Sequence, residues 1–279
     1  MSERILITGA TGSLGSVVYR RAARAGWNTV GTSFSSPSDV TDVRLDVRDP
    51  VQVREVLDKV RPAVVVHTAT GREREDWATT ADGAANVAAA AARLGVRLVH
   101  VSTDAVHRGD GSYDESALPD PVNRYGAAKA AAETAVKAIA PEAAIVRTGL
   151  IGGDGDGYFE RLTYELVHGQ REGFLFTDMV RTPVHVDDLA DALLELAGND
   201  FSGVLNVAGS EAITRYELGV LVARRDGLDP AAIPAKRAVD MDPRPALALD
   251  VRLDISRARS LLRTRLRGAS EFMAEPIGG

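Results

Sequence analysis

Near-continuous apolar runs alternate with helix-periodic stretches through the first half of the chain. Residues 4–8 (Arg-Ile-Leu-Ile-Thr), 29–32, 43–46, 63–67, 96–102 and 144–147 predict strands. Runs that are apolar at successive positions, not at every second one, fit strands covered on both faces. Between them, 16–25, 50–60, 79–94 and 125–139 predict helices. Asp49 stands where a cap is needed, Pro50 suits a first helical turn, and Gly95 suits a helix end. Strands alternating with helices predict an α/β fold with a doubly wound parallel sheet. Such sheets bind ligands outside the carboxyl ends of their strands. Gly9, Ser33, Thr68, Ser102 and Thr103 fall at that edge.

Beyond residue 147 the pattern loosens. Residues 149–157 are rich in Gly and Asp and predict a loop, while 158–168 and 215–227 predict helices of a smaller lobe. The 184–197 segment is expected to return to the main domain. The expected division is therefore 1–148, with 184–200 packed onto it, then a lobe from 149–183 and 208–267, and a loose tail at 268–279.

Composition narrows the classes. A chain of 279 residues with 45% hydrophobic content can bury one large core plus a small lobe. A net charge of −6 argues against a general nucleic-acid surface. Cysteine is absent, which excludes disulfides and thiol chemistry. No run approaches the roughly 18 apolar residues of a membrane helix. Met1-Ser2-Glu3-Arg4 leads straight into the first strand, so no signal peptide and a cytoplasmic location are expected. No His/Asp/Glu cluster has metal-ligand spacing.

Two motifs carry chemistry. Gly9-Ala10-Thr11-Gly12-Ser13-Leu14-Gly15 follows the first strand and precedes a helix. That arrangement allows a tight turn, close backbone approach and a helix amino end turned toward a pyrophosphate. Tyr125 and Lys129 stand four residues apart, on one face of a helix. A phenol beside an ammonium is a proton donor whose anion is favoured by the neighbouring charge. After the second strand, Ser33-Phe34-Ser35-Ser36 offers no carboxylate for a ribose diol, and the next acid is Asp39. The hydroxyls tolerate a 2′-phosphate, though no Arg lies in that segment. NADP is thus the expected cofactor, with NAD the alternative.

Gly9-x-x-Gly12-x-x-Gly15, Ser102-Thr103-Asp104 and Tyr125-x-x-x-Lys129 together resemble the extended short-chain dehydrogenase/reductases. Residues 101–106, 113–115, 121–133, 145–149, 182–190 and 203–209 are similar to the dTDP-4-dehydrorhamnose reductase branch, over residues 4 to about 265. The resemblance implies a Rossmann domain with a small carboxyl-terminal lobe that holds the substrate. It implies Thr103, Tyr125 and Lys129 as catalytic residues. It implies a cofactor cradled by Gly9, Thr11, Gly12, Ser13, Leu14, Gly15, Ser33, Thr68, Ala69, Ser102, Tyr125 and Lys129, with Asp46-Val47 at the adenine. Thr103, Asp104 and Arg181 are the candidate substrate contacts, Arg181 for a diphosphate.

The implied activity is NAD(P)H-dependent reduction of the 4-keto group of a nucleotide-linked deoxysugar. Related 4,6-dehydratases place Glu after Thr-Asp, where Ala105 stands here. A sugar-nucleotide epimerase, and an NADP-binding regulatory subunit without turnover like those of methionine adenosyltransferase, share the motifs. Two departures from the branch are His67-Thr68-Ala69-Thr70 and the charged segment 71–77, with Arg72 and Arg74 as candidate anion contacts. The Ala-rich helices are also a candidate homodimer surface.

Overall fold

The computed structural model describes residues 3–35, 38–71, 76–242 and 246–274. Seven strands form the central sheet, in the order Gly203–Asn206, Ala144–Arg147, Arg97–Val101, Val64–His67, Arg4–Thr8, Asn28–Ser33 and Val43–Arg44. All their pairings are parallel. The chain winds outward from Arg4–Thr8 in one direction, then crosses to Val64–His67 and winds the other way. The switch point between those two strands is where an open α/β sheet leaves a crevice.

The continuous apolar runs are explained by two cores, one on each face. Ile5, Leu6 and Ile7 are all fully buried. Ile5 and Ile7 pack with Val18, Ala22, Leu189 and Leu193, from the helices Ser13–Arg24 and Val186–Ala197. Leu6, with Val65, Leu98 and Ile145, faces the helices Pro50–Val60, Gly83–Leu94 and Arg124–Ile139. The 186–197 helix is fastened to the first helix by Arg21, whose Nε donates to Asp191 at 2.6 Å.

Helix ends follow local chemistry. The Asp49 carboxylate accepts from the amides of Val51 and Gln52 at 2.9 and 3.2 Å. Gly95 closes its helix at φ +63°, a conformation a side chain would resist. Some strand ends shift by one or two residues from the sequence reading, and two helices start differently. The first helix begins at Ser13, not Ser16, because the glycine turn leads directly into it. The 79–94 helix opens as a π-turn over Ala78–Asp82 before the α-helix Gly83–Leu94. Some of the alanines of the Gly83–Leu94 and Arg124–Ile139 helices are covered within the chain: Ala84, Ala88, Ala91, Ala128 and Ala132 are buried where the two helices pack together.

A separate apolar cluster forms the lobe, with Phe159, Leu166, Leu175, Leu218, Val222 and Phe272. Its helices are Tyr158–Val167 and Arg215–Arg225. The Gly/Asp loop before them is wrapped around one carboxylate. Glu160 accepts from the amides of Gly153, Gly155 and Gly157 at 3.2, 3.1 and 3.0 Å, and pairs with buried Arg225. A four-stranded sheet joins this lobe to the site: Ile213–Thr214, Val180–Arg181, Asp250–Leu253 and Asp110–Tyr113. The expectation of a loose tail from 268 is corrected. Ala269–Phe272 is a helical turn, and Phe272 and Met273 are buried in the lobe core. A hydrophobic pair with a core to enter does not fray.

Candidate active site

The glycine turn is shaped by crowding. Gly9 sits at φ +70°, and a Cβ there would lie 2.8 Å from the Ala69 Cα. A Cβ on Gly15 would meet the Gly9 carbonyl at 2.2 Å and the Thr68 hydroxyl at 2.8 Å. Thr68 in turn donates to the Thr8 carbonyl at 2.7 Å. The turn is thus clamped between the first and fourth strands at the switch point. The following helix starts at Ser13 without a side-chain cap and without an acid in its first turn. Its leading amides and positive dipole end therefore remain available to an anion. A cleft of about 510 Å³ opens there, lined by Gly9, Thr11, Gly12, Ser33, Asp46, Val47, Thr68 and Ala69 among others. These features fit a dinucleotide pyrophosphate with its adenosine toward Asp46.

Asp46 is half-buried and holds Arg48 with two contacts, at 2.8 Å to Nε and 2.7 Å to Nη2. That contact, led by the Arg48 hydrogen bond, keeps the Asp46 carboxyl below the usual carboxylate range. Asn86 donates to the Val47 carbonyl at 3.0 Å, fixing the Asp46-Val47 wall of the cleft.

The second part of the candidate site is the edge formed by Ser102, Thr103 and Asp104. Ser102 and Asp104 extend the fifth strand's path, donating their amides to Val146 and Thr148 at 2.6 and 2.8 Å. Thr103, nearly buried, caps the short turn Asp104–Val106 by accepting the Ala105 amide at 3.2 Å. Its hydroxyl donates to Asp104 at 3.2 Å. The Tyr125 helix, Arg124–Ile139, is capped by Asn123, which accepts the Gly126 amide at 2.8 Å. A Cβ on Gly126 would stand 2.1 Å from the Ala105 carbonyl. Glycine at this position lets the helix press onto the turn, and Tyr125 beside it is half-buried.

One turn later, buried Lys129 donates to the Val101 carbonyl at 3.0 Å. Burial brings the Lys129 ammonium down to about 8, opposed by the charge of Glu133. Behind it, Arg147 grips Glu133 at 2.8 Å, and Glu133 also accepts the Ser102 hydroxyl. Residues 102, 129, 133 and 147 thus form one buried polar assembly beneath the site. His67 and His100 stack nearby with ring centroids 5.3 Å apart. Burial, then Lys129, pushes His67 down to about 3, so both rings read as neutral packing elements and not proton carriers.

Arg181 does not stand where a substrate diphosphate contact was expected. It is buried, donates to the backbone carbonyls of Val180 and Ala248 at 2.6 and 2.7 Å, and brings Nε to 3.2 Å from the Asp104 carboxylate. It steadies Asp104 from the lobe side. Burial raises the Asp104 carboxyl while Arg181 opposes that rise. Arg72 and Arg74 lie outside the described residues. Among the described residues no group of three or more acidic or imidazole side chains could hold a metal, and no helix is long and apolar enough to cross a membrane.

The sequence reading missed four contributors. Glu133 and Arg147 were read as motif letters, and only the fold makes them a pair. Arg44 and Arg48 were passed over because they lie beyond the second strand. The pairing of Ser33 with Arg44 brings them back to it. The predicted strand at 43–46, observed over Val43–Arg44, carries that signal, since it lies in parallel beside the second strand.

A parallel sheet with a clamped glycine turn at its switch point and a Tyr/Lys helix pressed on the Ser-Thr-Asp edge defines an extended short-chain dehydrogenase/reductase. The chain belongs to the RmlD substrate binding domain family, whose model matches residues 3–271. It is 35% identical to a dTDP-4-dehydrorhamnose reductase of Mycobacterium tuberculosis over 253 residues, covering 88% of this chain and 82% of that one. It is 30% identical to methionine adenosyltransferase 2 subunit beta of Mus musculus, covering 80% and 72%. In fold it is similar to the dTDP-4-dehydrorhamnose reductase of Bacillus anthracis solved with NADP (TM-score 0.84, 24% identity, 98% of both chains).

Proposed function

We propose that the protein is an NAD(P)H-dependent reductase of the 4-keto group of a nucleotide-linked deoxysugar, working in the cytoplasm. The observation that supports this reading is the close approach of Gly126 to the Ala105 carbonyl, which packs the Tyr125/Lys129 helix on the turn that follows Thr103, with Lys129 bonded to the Val101 carbonyl. The names of the M. tuberculosis and B. anthracis relatives, both dTDP-4-dehydrorhamnose reductases, support the substrate class.

Each side chain has a task. The Thr103 hydroxyl holds the substrate carbonyl oxygen, and Tyr125 gives that oxygen its proton as the ketone becomes an alcohol. Lys129 holds the cofactor ribose hydroxyls and stabilises the phenolate left on Tyr125. The nicotinamide, when bound, supplies the hydride. Ala105 leaves no carboxylate at the position where related dehydratases carry their acid, so elimination has no proton shuttle there.

The test is cofactor oxidation across a panel of nucleotide-linked keto sugars, with NADPH and NADH compared and the product weighed. Sugar-dependent oxidation, giving a product two hydrogens heavier, is expected. No oxidation with any sugar, together with co-purification of a partner enzyme, would favour the regulatory-subunit reading that the 30% identity to the mouse protein raises.

A further inference from the structure

We propose that Arg44 makes this chain NADP-selective by pairing with the 2′-phosphate of the adenosine ribose. The inference rests on the reductase reading for its cofactor alone, not for its sugar.

The second strand, Asn28–Ser33, ends at the cleft in Ser33-Phe34-Ser35. No carboxylate stands in those three positions to hold a ribose diol or to repel a phosphate. A cation is what such a site needs, and the third strand delivers it. The parallel register sets Arg44 opposite Ser33. The Arg44 Nε donates to the Phe34 carbonyl at 3.2 Å, and its guanidinium carbon lies 5.7 Å from the Phe34 ring centroid. Arg44 lines a hollow of about 620 Å³ with Ser33, Phe34, Ser35 and Asp42. Ser33, Phe34 and Ser35 also line the cleft that holds the glycine turn, so the two spaces adjoin.

A second cation, Arg48, approaches the same ring at 4.9 Å. Its charge is offset by the bidentate contact with Asp46. Arg44 forms no ion-pair contact among the described residues, its charge reaching Asp46 only at longer range. Asp42, the acid in the hollow, turns one oxygen back to accept the Gly31 amide at 2.8 Å. Phe34 is half exposed although large and apolar. A platform for guanidinium groups is a use that explains its position. A guanidinium on a phosphate monoester gives charge-assisted, two-pronged hydrogen bonding that a ribose hydroxyl cannot match.

The probes are 2′,5′-ADP and 5′-ADP, which differ by the one phosphate and carry no nicotinamide. Equilibrium binding of each is measured by calorimetry on the full chain, on Arg44→Gln and on Arg48→Gln. The unaltered chain is expected to bind 2′,5′-ADP more than tenfold tighter than 5′-ADP. Arg44→Gln is expected to lose roughly 10- to 100-fold for 2′,5′-ADP, the range for a lost charge-assisted bond, and to bind 5′-ADP within about twofold. Equal binding of both probes by the unaltered chain overturns the proposal. So does an equal loss for both in Arg44→Gln, or a selective loss in Arg48→Gln with Arg44→Gln silent. Arg44 is exposed, so the variant is expected to fold, and the binding readout stands whichever sugar proves to be the substrate.

Discussion

Around the candidate Tyr125/Lys129 pair, Lys129, Glu133 and Arg147 are each about 5% exposed or less, and every charge has a partner or a carbonyl. At the ends of the second and third strands, Arg44 and Arg48 stand in solvent and lean on a half-exposed Phe34. The first region is expensive to assemble and hard to deform, because buried charges tolerate no missing partner. The second is loosely held, and a change there alters recognition more than folding. Proton transfer needs fixed geometry, whereas discrimination between two cofactors needs only a placed charge.

If that contrast is right, damage to the buried assembly should cost most. Arg147→Met leaves Glu133 charged, buried and short of its main partner, and is expected to lower unfolding free energy by about 3–5 kcal/mol in denaturant titration. Adding Glu133→Leu should restore most of the loss. A single variant as stable as the parent would mean that the two regions do not differ as described.

The next effect is on pH. Lys129 loses its proton near pH 8. Because the charged form serves the phenolate, kcat/KM is expected to fall about tenfold per pH unit above that point. Stability should move the other way. Below pH 8 both folded and unfolded chains hold the proton. Between about 8 and the unfolded value near 10.4 only the unfolded chain does, so this group's contribution makes stability rise with pH in that window. An activity profile flat through pH 9 would contradict the placement of Lys129.

The smallest effect lies away from the site. Asp49→Ala removes the carboxylate that caps the Pro50–Val60 helix and should cost about 1 kcal/mol with turnover unchanged. A comparable loss of turnover would show that the cleft depends on this helix end more than its place in the fold implies.

The two regions also differ in how far the sequence revealed them. The glycine turn and the Tyr125/Lys129 pair are local patterns, so their spacing states their geometry directly. Strands such as Arg4–Thr8 and Ala144–Arg147, and the helix Pro50–Val60, were legible to the residue, because continuous apolar runs and an Asp-Pro start leave few alternatives. The role of Arg181 was not legible. A lone Arg before Thr-Pro looks the same whether it meets a ligand or a buried Asp104, and only the Val180–Arg181 pairing with the lobe sheet decides. Arg44 was hidden for a related reason. Its partner segment lies ten residues earlier, and a register between strands fixes the contact, not a spacing along one. The buried turn at 269–272 was missed because a short Ser/Glu/Phe stretch has no periodicity to read.

Tyr125→Phe tests the central claim most directly, since it removes one hydroxyl and leaves the helix, Lys129 and the cofactor cleft in place. Single-turnover oxidation of bound NADPH by a nucleotide-linked 4-keto sugar is expected to slow by about 10²- to 10⁴-fold, the usual contribution of a positioned acid, while NADPH affinity stays within a few-fold of the parent. Turnover at the parent rate with affinity preserved would contradict the assignment of Tyr125 as the proton donor.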